Sequence, residues 1–210
     1  KAFPCAWGKC AFCDYIEDNS RDEAGMIALN NQVLNLVTGE YGVLEVINSG
    51  SCFELPKETL NQIEQVICEK NINKLFFEAH WIYKNRLAEM RKRMPVPIVF
   101  KIGVETFDHD FRESVLNKHA DFKNPEEVAR YFDSPCLMVG IQGQTKEMIS
   151  RDIEYLKKYF KLGTVNVYNN NTTKIRRDEE LVKWFMKEYQ WLLDDPSVEV
   201  LYEITDFGVG

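Results

Sequence analysis

The chain has 210 residues, 45% of them hydrophobic and 28% charged, enough to bury a substantial core and ordinary for one globular domain spanning 1–210. Its formal net charge of −7 opposes a broad phosphate-binding surface, because nucleic-acid affinity comes largely from clustered Lys and Arg, so nucleic acid is not an expected partner. No run approaches the roughly 18 to 20 apolar residues of a membrane span, and no charged segment leading into an apolar one opens the chain, so a soluble cytoplasmic protein is expected.

The first feature along the chain is the loop 5–13, Pro4-Cys5-Ala6-Trp7-Gly8-Lys9-Cys10-Ala11-Phe12-Cys13. The chain begins only a few residues before it, so a first strand is expected to lie partly upstream. Three thiolates on so short a loop can hold one metal centre and leave one position, or one iron of a cubane cluster, without a protein ligand. An open position serves chemistry, whereas a closed structural site needs a fourth ligand. Cys52, Cys68 and Cys136 lie in apolar surroundings and read as buried free thiols rather than disulfide partners.

Residues 22–37 read as a helix with Ile27, Leu29, Val33, Leu34 and Val37 toward the core, ended by Gly39. A buried-type strand follows at 43–47, then the turn Asn48-Ser49-Gly50-Ser51 and a helix opened by Pro56 with Leu60, Ile63, Val66 and Ile67 on one face. The alternation continues with strands at 74–78, 98–103, 136–141 and 164–168. Between them come helices at 82–93, 146–160 and 178–191, helical segments across 108–132, and a last strand or extended tail over about 198–210. Strands alternating with helices mean a parallel sheet, because parallel strands need crossover connections. About six units in 210 residues predict an α/β fold of the partial (β/α)6-barrel type, short of the eight-fold closure that takes about 250 residues. The loops after the strands then form the active face, where Ser49-Gly50-Ser51, Glu78-Ala79-His80, Glu105 and Asn169-Asn170-Asn171 fall.

These pieces together resemble the radical S-adenosylmethionine superfamily, whose signature is three cysteines, usually C-x3-C-x2-C, with an aromatic before the last. Phe12 fills the aromatic place, while four residues rather than three separate Cys5 from Cys10. Asn48-Ser49-Gly50-Ser51 stands where the superfamily often has a Gly-Gly-Glu turn for the methionyl amine. Lys101-Ile102-Gly103-Val104-Glu105-Thr106, with Asp110-Phe111-Arg112-Glu113 and Leu116-Asn117-Lys118, is similar to a strand segment of Elongator-like radical enzymes. Within the superfamily the overall likeness, without a diagnostic motif, is to the queuine lyases of queuine salvage.

The resemblance implies that Cys5, Cys10 and Cys13 hold a four-iron four-sulfur (4Fe-4S) cluster and that S-adenosylmethionine binds its open iron. Cleavage driven by an external one-electron donor then yields a 5′-deoxyadenosyl radical. It further implies cofactor contacts at Phe12, Ser49, Gly50, Ser51, at Glu105 for ribose hydroxyls and at Arg112 for the methionyl carboxylate; a surface ion pair is the alternative for Arg112. The implied substrate is a small base such as queuine, and the implied assembly is a homodimer with a shared active site.

Strand parity places Glu45 on the face of Ile47 and Ser49, Lys101 on that of Gly103 and Glu105, and Asn166 on that of Tyr168, while Glu78 ends its strand. Buried carboxylates are costly unless partnered, so they indicate either a polar ligand or an internal pair of Lys101 with Glu45 or Glu78. Glu45, Glu78, His80, Lys101, Asn166 and Tyr168 are the candidate substrate contacts, with Asp206 in the tail. His80 is also open to a purely structural role. Two other readings stay open: a radical enzyme acting on tRNA, and a non-enzymatic metal-binding module holding zinc with His80 or an outside carboxylate as fourth ligand.

Overall fold

The computed structural model describes residues 1–203, so the expectation for Asp206 lies outside the described residues. The chain divides into two compact units, one of Lys1–Gly8 and Tyr15–Lys101, the other of Lys9–Asp14 and the chain from Ile102 onward. Six strands are hydrogen-bonded in chain order, the strand order of a partial (β/α)6 barrel: β1 (Val43–Val46), β2 (Lys74–Glu78), β3 (Ile98–Glu105), β4 (Ser134–Val139), β5 (Gly163–Val167) and β6 (Val198–Leu201). The sixth place is filled by the segment that reads as strand or tail, and the strand at Val43 is the first of the sheet. The α/β class follows from the expected alternation, and β1–β2, β2–β3, β4–β5 and β5–β6 all pair in parallel.

In the first unit, α1 (Glu23–Leu34) starts where Asp22 accepts the Gly25 N–H at 3.0 Å. Its buried positions are Met26, Asn30 and Leu34, whereas Leu29 and Val33 are exposed, which corrects the predicted face. The rotation has a polar cause: buried Asn30 donates to the Lys1 carbonyl at 2.8 Å and to Thr59 Oγ1 at 3.1 Å. α2 (Lys57–Glu69) buries Leu60, Ile63, Val66 and Ile67 as its periodicity predicts. The segment at 82–93 splits into a 3-10 turn, Trp81–Arg86, and α3 (Leu87–Arg93). Cys52 is buried as expected, but Cys68 is exposed on α2.

In the second unit, α5 (Lys146–Tyr159) and α6 (Glu179–Glu188) are capped by Thr145 and Asp178 and bury Ile149, Ile153 and Leu156, and Leu181, Val182 and Phe185. The stretch 108–132 is less helical than predicted, holding a π turn, Phe111–Val115, and the short α4 (Pro125–Ala129). Left-handed backbone at Asn117 (φ 50°) and His119 (φ 54°) prevents one continuous helix. Among the described residues no helix is long and apolar enough to cross a membrane.

Candidate active site

The cysteine loop is shared in sequence between the two units, Cys5 falling in the first and Cys10 and Cys13 in the second. All three are of intermediate exposure and in no disulfide. The extra residue of the first spacer is taken up in a turn at Gly8, whose φ of 58° suits glycine and where a Cβ would stand 3.1 Å from the Cys5 carbonyl oxygen.

In the first unit the Cys5 N–H donates to Asn19 Oδ1 at 3.1 Å, and Asn19 Nδ2 donates to Ser49 at 2.8 Å. Ser51 is buried and its Oγ accepts the His80 N–H at 2.9 Å. His80 caps the following turn, its Nδ1 accepting from the Ile82 N–H at 3.3 Å, so it has a structural task. The Lys101 ammonium, buried on β3, meets Glu45 Oε1 at 2.6 Å, and Glu78 stands opposite Lys101 in the sheet register. The internal pair of Lys101 with Glu45 is formed, while Glu45 itself stays exposed on β1.

In the second unit Phe12 packs into a core cluster with Phe111, Leu116, Met138, Ile141 and Tyr168, against which Cys10 and Cys13 rest. Backbone bonds hold the loop there: Ala11 N–H donates to the Leu116 carbonyl at 2.8 Å, Asn117 Nδ2 to that of Lys9 at 2.7 Å, and Asn171 Nδ2 to that of Phe12 at 2.7 Å. Glu105, at the end of β3, is buried with φ 63° and accepts from the Lys118 ammonium at 2.6 Å. Non-glycine residues held in left-handed backbone concentrate at functional sites. Gly103 leaves room for this pair in its observed position, since a Cβ there would lie 2.4 Å from Glu105 Oε1 and 2.7 Å from Lys118 Nζ and the side chains would have to shift. Burial by itself would lower the Lys118 pKa, but the Glu105 carboxylate and negative charge at Cys10 and Cys13 hold it above its ordinary value.

One expectation is corrected. Arg112 is fully buried and its guanidinium donates to the carbonyls of Thr106 at 3.1 Å, Ala120 at 3.1 Å and Phe122 at 3.4 Å and to Glu113 at 3.0 Å, so it is neither a surface ion pair nor open to a carboxylate ligand. Tyr168 is buried against Phe12 and its hydroxyl donates to Asn171 Oδ1 at 3.2 Å, so it supports the cysteine loop. Asn166 behaves differently: among the described residues its buried Oδ1 has no hydrogen-bond partner.

The turn after β3 is pinned by Asp152, buried on α5, which accepts the Phe107 N–H at 2.9 Å. Burial pushes its carboxyl up from 3.8 to about 7, against the hydrogen bonds from Thr106 and Phe107 that favour the anion. The folded state therefore holds this proton where the unfolded chain has lost it, so stability falls as pH rises from about 4 to about 7 and the loss is complete above that. Asp152→Asn keeps the acceptor and removes the charge, so its Tm at pH 8 is expected to exceed the wild-type value by roughly 3 °C or more, converging at pH 4. Thermal melts across that range check it.

No protein-family model matches the chain. It is 26% identical over 167 residues to an uncharacterised protein of Methanocaldococcus jannaschii, an alignment covering 72% of this chain and 39% of that protein, so the chain spans well under half of this relative. A queuine lyase from Clostridium spiroforme, solved with S-adenosylmethionine and queuine, superposes with a TM-score of 0.97 at 55% identity, covering 100% of this chain and 91% of that one. The chain belongs to the queuine lyase family of radical S-adenosylmethionine enzymes. At 14% identity, a radical S-adenosylmethionine methyltransferase from Sphaerobacter thermophilus (TM-score 0.60, 98% of this chain and 64% of that one) shares the fold. So does SuiB of Streptococcus suis bound to S-adenosylmethionine (TM-score 0.57, 96% and 46%).

The donor set fits the iron–sulfur cluster characteristic of this superfamily. The candidate ligands are all soft thiols, and a buried ammonium lies where it favours the thiolate form of Cys10 and Cys13. Among the described residues no three His, Cys, Asp or Glu side chains converge as they would on a single ion. A cubane does not require that, since each thiolate takes a different iron. Sequence reasoning did not single out Asn19 and Glu54, which bond the backbone at Cys5 and Ala6, or Lys118, which pairs with Glu105. Ser51-Cys52-Phe53-Glu54 does carry the S-x-x-E capping-box spacing, a signal that could have found Glu54.

Proposed function

We propose that this enzyme is a carbon–nitrogen lyase acting on queuine, releasing an aminomethyl-deazaguanine. The observation that carries the reading is the 55% identity over the whole chain to a lyase solved with queuine and S-adenosylmethionine. Cys5, Cys10 and Cys13 would hold a 4Fe-4S cluster, and Phe12, packed under Cys10 and Cys13, would shape its floor. When bound, the cluster and S-adenosylmethionine supply a 5′-deoxyadenosyl radical that takes hydrogen from carbon, on reduction by an external one-electron donor.

The chain's own residues bind and orient. Ser49, Gly50 and Ser51 offer carbonyls and hydroxyls to the methionyl group, and Glu105 offers its carboxylate to the ribose. Asn166 Oδ1 takes an N–H of the base, Glu45 and Glu78 meet its amine and amidine-like donors with His80 beside them in sequence as a further polar contact, and Lys101 sets the placement of Glu45. The enzyme works in the cytoplasm as a homodimer. Exposed Leu29, Val33, Leu36, Tyr41 and Val43 on the first unit support association, and light scattering that finds a monomer would count against it.

The test is anaerobic: iron-reconstituted protein reduced with dithionite, with 5′-deoxyadenosine followed with and without queuine. Release that rises with queuine and yields the aminomethyl base supports the reading, and release indifferent to queuine discards the substrate. Glu45→Gln is expected to raise KM for queuine about tenfold while leaving uncoupled cofactor cleavage in place. Collapse of cleavage with affinity intact removes Glu45 from the substrate site.

A further inference from the structure

We infer that Glu54 and Asn19 are positioning residues that lock the backbone at Cys5 to the Ser49-Gly50-Ser51 turn, so that one cluster ligand and the cofactor turn move as one piece. The inference rests on the cluster reading above but concerns this chain's own hydrogen bonds, all within the first unit. Glu54 is 6% exposed in a 3-10 turn, Cys52–Glu54, and its carboxylate collects three donors. Oε1 accepts the Ala6 N–H at 3.0 Å and the Tyr83 hydroxyl at 2.8 Å, and Oε2 accepts the Ser51 N–H. The Glu54 carbonyl also accepts the Phe3 N–H at 2.9 Å. The chain on both sides of Cys5 is therefore tied to one residue.

Asn19 supplies the second tie. Its Oδ1 accepts the Cys5 N–H at 3.1 Å while its Nδ2 donates to both Ser49 O and Ser49 Oγ at 2.8 Å. Gly50 lies in the middle: a Cβ there would meet Glu54 Oε2 at 2.9 Å and the Cys5 Cα at 3.7 Å. A side chain at position 50 would push the turn away from the carboxylate that holds it. Tyr83 is fixed in turn by stacking on Phe53 at 4.7 Å, and burial together with the bond to Glu54 raises its phenol pKa, so the hydroxyl stays a donor. Cys10 and Cys13 are held by other groups, which gives the test its internal control.

The experiment is pulsed alkylation of the metal-free protein with iodoacetamide, reading each cysteine separately by mass spectrometry. Hydrogen bonds to a charged group are worth about 1.5–3 kcal/mol, so Glu54→Ala is expected to speed Cys5 labelling by roughly tenfold to a hundredfold with Cys10 and Cys13 unchanged. Glu54→Gln, which keeps an acceptor for Ala6 and Tyr83 and loses the one for Ser51, is expected to fall between Ala and wild type. After anaerobic reconstitution, S-adenosylmethionine is expected to perturb the electron paramagnetic resonance spectrum of the reduced cluster less in Glu54→Gln than in wild type. Unchanged Cys5 labelling overturns the inference, and so does an equal rise at all three cysteines, which marks general unfolding. Wild-type protein that takes up no iron, with Cys5-selective labelling in the variants, overturns the cluster reading and leaves the positioning standing.

Discussion

Replacing Lys118 by Met is expected to lower the unfolding free energy by about 3–5 kcal/mol, the cost of leaving a buried carboxylate without its partner. Lys118 and Glu105 are each less than a tenth exposed and meet at 2.6 Å, so Glu105 cannot recover its lost partner from bulk water. The pair itself need not be strongly stabilising, because desolvating two charges offsets much of their attraction. The double variant Lys118→Met with Glu105→Gln therefore recovers most of the loss, whereas independent effects would add. The same single variant removes the cation that favours thiolates at Cys10 and Cys13, so it takes up less iron on reconstitution even at temperatures where it is folded. Urea unfolding of the four members of the cycle, with iron counted per chain, checks both parts. A Lys118→Met protein as stable as wild type would mean that Glu105 is solvated or protonated in the folded state.

The elements that announce themselves in sequence are those whose signal is local. α2 carries an uninterrupted apolar face behind Pro56, and β2 is a short hydrophobic run ending in Glu78; both appear where their patterns place them. The parallel class follows from the same alternation, without knowledge of any contact. What escapes is set by partners far away in the chain. The face of α1 is decided by Asn30, a polar residue buried because Thr59 and the Lys1 carbonyl satisfy it, so apolar periodicity alone selects Leu29 and Val33 wrongly. The cysteines and the polar face of β3 are visible as residue types at fixed spacing. Lys118 is not, because it reaches Glu105 through left-handed backbone at Asn117 and His119, a conformation that Asn and His adopt more readily than most residues but that no local pattern here announces. Arg112 carries the same lesson in reverse: a charge among acidic neighbours reads as solvated, and only the fold reveals three carbonyls around it.

Arg112→Met is expected to cost about 3–5 kcal/mol of stability and to loosen the cysteine loop before the rest of the molecule opens. The guanidinium lies 3.7 Å above the Phe122 ring and bridges carbonyls at Thr106, Ala120 and Phe122, which closes the whole excursion from β3 to α4 on itself. That excursion presents the Leu116 carbonyl to Ala11 and the Asn117 amide to Lys9, so its anchorage is transmitted to the backbone beside Cys10. Removing the side chain leaves buried acceptors with no donor, and the segment gains more by opening to water than by staying closed. Lysine does not substitute, because one compact ammonium cannot span acceptors that a planar fork reaches from three sides. Both Arg112→Met and Arg112→Lys should therefore show faster amide exchange at Ala11 and Leu116 and a lowered Tm. A ligand role predicts the opposite division, weaker binding of S-adenosylmethionine with stability and exchange unchanged, and that outcome would return Arg112 to the cofactor site.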